Sequence, residues 1–155
     1  MEFIRKPWVI IPVVILLLLS LLGWYWSAEP EMITIEPPVQ KSQPIVGVAT
    51  TQMLIKTTEV LLHKRGGYLS NDKIPPSVFM DNIPNWEFGV LQQIRDLAKA
   101  LRNDYSRSQT QSEADKDLEI AEPKFNVDSS AWIFPSAEGE YQEGIDAMRK
   151  YLDRL

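Results

Sequence analysis

From Pro7 to Ala28 the chain carries no charged residue, and that run constrains its N-terminal part more than any other feature. Its centre, Trp8 to Trp26, is 19 residues. A helix of that length covers roughly 28 Å, close to the roughly 30 Å of a bilayer's hydrocarbon core. Twelve residues of the run are Val, Ile or Leu, which together favour the membrane by roughly 4–7 kcal/mol as an upper bound. Ser20, Gly23 and Pro12 are all tolerated in spanning helices. Trp8 stands at one end and Trp24, Tyr25 and Trp26 at the other, where amphipathic rings favour the headgroup level.

Two other uses of such a run fit less well. A cleaved secretory signal has a shorter apolar region and small residues before its cleavage site, whereas bulky Trp26 precedes Ser27-Ala28. A helix buried in a soluble core normally keeps one polar face, and this run has none. The flanks set an orientation. Arg5 and Lys6 precede the span and Glu29 and Glu31 follow it; basic flanks stay in the cytoplasm, so residues 27 onward are expected outside.

The chain has no cysteine. Disulfides, thiolate catalysis, lipid attachment through Cys and Cys-based zinc sites are thereby excluded. An exported domain must then hold together by its own core, which tilts the compartment toward a bacterial periplasm. Beyond the span, Ser27–Leu155 holds 14 basic and 20 acidic residues (the chain's 16 and 21 less Arg5, Lys6 and Glu2), a net of −6. Such a surface does not attract nucleic acid by charge.

Residues 27–49 read as an extended stalk, broken by Pro30, Pro37, Pro38 and Pro44; Met32–Ile35 is at most a short strand. Thr51 to Arg65 reads as a helix, capped by Thr50 or Thr51 and stopped by Gly66-Gly67. Tyr68 to Pro84 is a turn-rich connection that also carries Val78, Phe79, Met80 and Ile83. A loop that long and apolar is expected to lie over the helices or to face a partner. Trp86 to Tyr105 is the clearest amphipathic helix, with Asn85 as cap. Its stripe runs Trp86, Val90, Ile94, Leu97, Leu101 and Tyr105, widened by Leu91 and Ala98. Ser106 to Glu122 is polar, with no apolar period to support packing. Phe125, Val127, Trp132, Ile133 and Phe134 make a second irregular apolar patch. Ser136 then caps a last helix over Ala137–Leu155, with the stripe Tyr141, Ile145, Met148, Leu152 and Leu155. That helix has no stop signal, and its stripe is still running at Leu155. The expectation is a domain whose core something outside this sequence completes, with the domain incomplete at its C-terminus.

Several segments, taken in order, carry a resemblance. They are Trp24-Tyr25-Trp26-Ser27, Gly66-Gly67-Tyr68-Leu69-Ser70-Asn71-Asp72, Asn85-Trp86-Glu87-Phe88-Gly89-Val90-Leu91, Ser106-Arg107-Ser108-Gln109, and Trp132-Ile133 with Pro135. Together they resemble the N-terminal part of an uncharacterised family of Gram-negative inner-membrane proteins catalogued as a domain of unknown function. The resemblance implies a location and a largely helical exported domain. It implies no activity and no site residues.

Few residues offer chemistry. His63, the chain's one histidine, sits beside Lys64 and Arg65 near a helix end, where it suits the helix C-terminus. One His and no Cys leave only oxygen ligands for a metal. Asp115-Lys116-Asp117-Leu118-Glu119 has the alternating acids of a calcium loop, but Ile120 stands where that loop needs glycine, and a solvated acidic linker is the plainer reading. Glu87, between Trp86 and Phe88 in the first turn of the best helix, is the one carboxylate to nominate as a general acid; an acid serving the helix dipole is again the plainer reading. Trp86, Phe88, Trp132 and Phe134 are core residues in the simplest view and a partner-binding surface in the other.

The expectation is therefore a mainly α chain. Residues 1–7 are cytoplasmic, 8–26 span the bilayer, 27–49 form the stalk, and 50–155 fold into a periplasmic domain of about three helices with long apolar connections. The expected role is a bacterial inner-membrane interaction or scaffold protein with a protein partner in the envelope, no cofactor and no metal. The alternative is a cell-wall glycan hydrolase with Glu87 as acid.

Overall fold

The computed structural model describes residues 7–34, 46–105 and 115–155. Ile35, Pro37, Pro38, Pro44 and Ser106-Arg107-Ser108-Gln109 lie outside the described residues, as does the side chain of Tyr105. Five α-helices follow one another: α1 (Pro7–Trp26), α2 (Val48–His63), α3 (Asn82–Ala100), α4 (Lys116–Phe125) and α5 (Ala137–Arg154). Among the described residues there is no strand, and Met32 to Thr34 run without regular structure.

The charge-free run forms α1, 20 residues long with none of them buried. At 1.5 Å per residue it measures about 30 Å, and it is long and apolar enough to cross a membrane. Its side chains find no protein core, so hydrophobic side chains such as Leu16, Leu17 and Leu18 stay open along its length.

The other four helices make an up-and-down bundle in which each packs on its two neighbours: α2 on α3, α3 on α4, α4 on α5 and α5 on α2. Helix α2 buries Thr51, Leu54, Ile55, Thr58, Leu61 and Leu62, steps of three and four that keep one face inward. Gly66 and Gly67 follow it with φ of 85° and 74°, the left-handed backbone that glycine adopts without steric cost. Helix α3 begins at Asn82, earlier than its capping pattern predicts, because Pro84 sits harmlessly in a first turn whose N–H groups have no helical acceptor. A π-helical turn, Leu101–Tyr105, continues it.

Helix α4 brings the domain to four described α-helices, one beyond the about three expected from the sequence. Of the stretch read as polar and unsupported, the described residues 115–122 do pack: Leu118 and Ala121 are buried, as is Phe125 of the patch that follows, and Asp115 caps the helix by accepting from the backbone N–H groups of Asp117 and Leu118. Its stripe was hard to see because it is two turns long, with alanine at the middle step and Pro123 inside the helix. Phe125 is fully buried, a contribution of roughly 1.5–3 kcal/mol. Its ring lies over Gly144 of α5, where an added Cβ would meet it at 2.6 Å. Arg95 of α3 donates from Nε to the carbonyl of Phe125 and from Nη2 to that of Val127, both at 2.8 Å, so the carbonyls at the end of α4 are satisfied from across the bundle.

Helix α5 is close to its expected form. Ser136 Oγ accepts from the Gly139 N–H, and Tyr141, Ile145 and Met148 are buried, with Leu152 and Leu155 packed against the core.

Candidate functional site

Because the helices alternate in direction, the α2–α3 connection (64–81) and the α4–α5 connection (126–136) emerge at the same end of the bundle. What fixes them is a buried polar network centred on Glu87. The side chain of Glu87 is 0% exposed and that of Lys64 is 2% exposed, and they form a salt bridge. Glu87 also accepts from the Leu69 N–H at 2.9 Å, the Ser70 N–H at 2.7 Å and the Ser70 hydroxyl. Lys64 donates in addition to the Gly67 carbonyl. One carboxylate thus gathers the whole Lys64–Ser70 turn onto the start of α3, and its lone pairs are consumed in doing so.

The next residue ties the two connections together. Asn71, fully buried, donates from Nδ2 to the Ala131 carbonyl at 2.9 Å and to Glu138 at 2.8 Å. The Tyr68 hydroxyl donates to the Ser129 carbonyl at 3.2 Å, and the Tyr68 and Tyr141 rings meet edge-on at 5.8 Å. Burial pushes the hydroxyls of both tyrosines above their ordinary range, so they serve as neutral donors. Asp128 accepts from the N–H and hydroxyl of Ser130, which hold its carboxyl below the usual range. Asp72, at the edge of the network, is pushed up by burial first and then by Glu138 and Glu87.

On this rigid base the connections hold apolar side chains out to solvent. In the α4–α5 connection Phe134 is 96% exposed, with Trp132 and Ile133 open before it; in the α2–α3 connection Phe79 is 82% exposed, with Ile74 and Val78 open before it. Phe88 is exposed on the outer face of α3. Of the four aromatic residues nominated as a partner surface, then, Phe88, Trp132 and Phe134 are open, whereas Trp86 is partly buried and packs on the core. The α3 stripe explains the difference. Its buried line is Ile83, Glu87, Leu91, Ile94 and Ala98, centred about 50° around the helix from the stripe that starts at Trp86, with which it shares Ile94. A periodicity search that counts a glutamate as polar steps past the true centre. The only sequence signal for Glu87's role is a lysine beside a Gly-Gly turn, which a single sequence does not single out.

The geometry gives Glu87 no access to a substrate. A general acid must reach the leaving group within hydrogen-bond distance, and this carboxylate lies beneath its own loop. His63 is exposed in the last turn of α2. Asp115 and Asp117 are engaged with Arg154 as well as with the helix cap.

The end of α1 meets the same region of the bundle. Trp26 lies against Gly66, where a Cβ would come within 2.8 Å of its ring. The Arg65 guanidinium stands 5.5 Å from the centre of the Tyr25 ring. A Cβ on Gly23 would meet Pro76 at 3.5 Å, an ordinary contact distance. Trp8 and Trp24 are open. From Trp26 the chain runs back along α2 as far as Thr34, whose carbonyl accepts from Lys56 Nζ at 2.7 Å. Between this segment and α2 lies a groove of about 610 Å³, edged by Glu59, His63 and Arg149.

No curated protein and no solved structure matches the chain. A sequence profile does match, over residues 3–155, nearly the whole length. The chain belongs to the DUF2333 family, described as an uncharacterised protein conserved in bacteria.

Proposed function

We propose that the chain is a membrane-anchored interaction protein of the bacterial cell envelope. Helix α1 crosses the inner membrane once with the N-terminus in the cytoplasm, as the Arg5-Lys6 flank favours. The four-helix bundle then stands in the periplasm and works as a scaffold that a protein partner docks on. The observation that carries this reading is the Trp132-Ile133-Phe134 knuckle. Three large apolar side chains are held in solvent by a base tied down by the buried Glu87–Lys64 pair and by Asn71 Nδ2, an arrangement that costs solubility and suits a surface where something binds. The hydrolase alternative has no such support, since its one candidate acid is buried in a structural role.

The test uses the full-length protein purified from its own membranes in mild detergent, beside an Ile133→Ser/Phe134→Ser variant. The expected result is a near-stoichiometric protein partner that copurifies with the parent and is lost from the variant at unchanged thermal stability. A partner retained by the variant, or none with the parent, would refute the assignment.

A further inference from the structure

We infer that the α2–α3 connection is itself a membrane-inserted element: the apolar loop Ile74–Phe79 dips into the bilayer interface beside α1. The inference rests on α1 being a membrane span, as proposed above, and concerns a different surface from the Trp132–Phe134 knuckle.

Three observations carry it. The first is depth. Gly23, which Pro76 approaches, lies three residues inside the end of α1, about 4.5 Å along its axis. If α1 fills the hydrocarbon core, that level lies just inside the headgroup boundary, where interfacial elements bury their apolar faces by roughly 5–10 Å. The second is composition. Ile74, Val78 and Phe79 are all open, and Phe79 follows Pro76 by a single 3-10 turn, so the rings and branches that face no protein lie within one turn of the residue seated on α1. Charges flank the loop without entering it: Asp72 and Lys73 precede it and Asp81 follows.

The third is the backbone. Polar groups entering lipid must be satisfied internally, and here several of them are. Pro75 and Pro76 have no N–H. The Phe79 N–H donates to the Pro76 carbonyl at 3.0 Å and the Met80 N–H to the Ser77 carbonyl at 2.9 Å. The Ser77 hydroxyl donates to the Ile74 carbonyl at 2.6 Å. Trp24 and Tyr25, at the same end of α1, are open as well and suit the headgroup level. Anchor and loop together hold the bundle against the membrane at two points, which fixes its tilt as a lone span cannot.

The absence of native cysteine makes single-site labelling clean. The full chain carrying Phe79→Cys, or Asp153→Cys at the opposite end of the bundle, is labelled with an environment-sensitive nitrobenzoxadiazole probe. It is then reconstituted into phosphatidylethanolamine–phosphatidylglycerol vesicles, with flotation after an alkaline wash as the check on anchoring. The expected outcome is a floated protein whose label at 79 is blue-shifted and several-fold more quenched by nitroxide-bearing lipids than the label at 153. A floated protein whose label at 79 is no more quenched than that at 153 overturns the insertion and leaves the anchor standing. A protein that does not float overturns both.

Discussion

Both ends of the bundle carry ion pairs, and their surroundings make them different devices. At the loop end Lys64 and Glu87 are out of water, and Glu87 takes two backbone N–H groups and a hydroxyl as well. At the other end Arg154 pairs with Asp115 and Asp117 while remaining 39% exposed. The buried pair decides the path of the chain, because breaking it strands a charge in a medium that cannot solvate it. The Arg154–Asp115 pair, with members 39% and 24% exposed, lies within reach of water and salt, which replace it at little cost, whereas Asp117 is itself buried. A pair's consequence for the fold follows from the solvation of its members more than from the contact itself.

The sharpest way to break this contrast is Glu87→Ala, which leaves Lys64 and the N–H groups of Leu69 and Ser70 without their acceptor. A loss of about 3–5 kcal/mol is expected, read by denaturant unfolding of the full chain, with hydrogen exchange accelerated first at Leu69 and Ser70. A loss under 1 kcal/mol would show that the pair is not the organiser of this end. Gly144→Ala probes the apolar contact between the two ends: the new methyl meets the Phe125 ring at 2.6 Å, and overpacking is expected to cost about 1–3 kcal/mol. Asn71→Ala removes the bridge to Ala131 and Glu138, with an expected loss of about 1–3 kcal/mol and looser protection of the Trp132–Phe134 segment.

Arg154→Ala removes a half-exposed guanidinium from one open and one buried carboxylate and should cost less than Glu87→Ala, and less again at high salt; a loss equal to that of Glu87→Ala would erase the distinction. The smallest effect is expected at Asp72. Burial, then Glu138 and Glu87, raise its carboxyl in the folded state, so the folded protein holds that proton more tightly than the unfolded chain. Its contribution therefore favours the fold at low pH and is lost as pH rises through the folded-state range. Asp72→Asn should gain roughly a few tenths of a kcal/mol at neutral pH, given the group's partial exposure. The gain should vanish as pH falls below the ordinary carboxylate range, which thermal melts at several pH values would show.

Much of this arrangement is legible in the residues. The α1 run, the Gly66-Gly67 stop, the Ser136 cap and the α5 stripe are local signals, and each stands where expected. Helix α4 is not legible locally, because its stripe spans two turns and gains its meaning from Phe125 reaching Gly144 in a different helix. The exposed aromatics were half legible. Trp132 and Phe134 were nominated together with Trp86, and only the rotation of α3 separates an open ring from one packed on the core. Ile74 carries no such signal, since an apolar residue in a loop looks the same whether it faces inward or outward.

By itself the sequence determined the membrane-length helix, the helical character of the remainder and the lack of thiol chemistry, because these depend on composition and on contacts within one or two turns. The tertiary structure alone decided that Glu87 is buried and organises the turn above it, that two connections distant in sequence share one end of the bundle, and that this end lies beside α1. Those outcomes depend on which donors reach a carboxylate across 17 to 23 positions of sequence. Desolvation then fixes the value of each contact, and desolvation is a property of the packed whole.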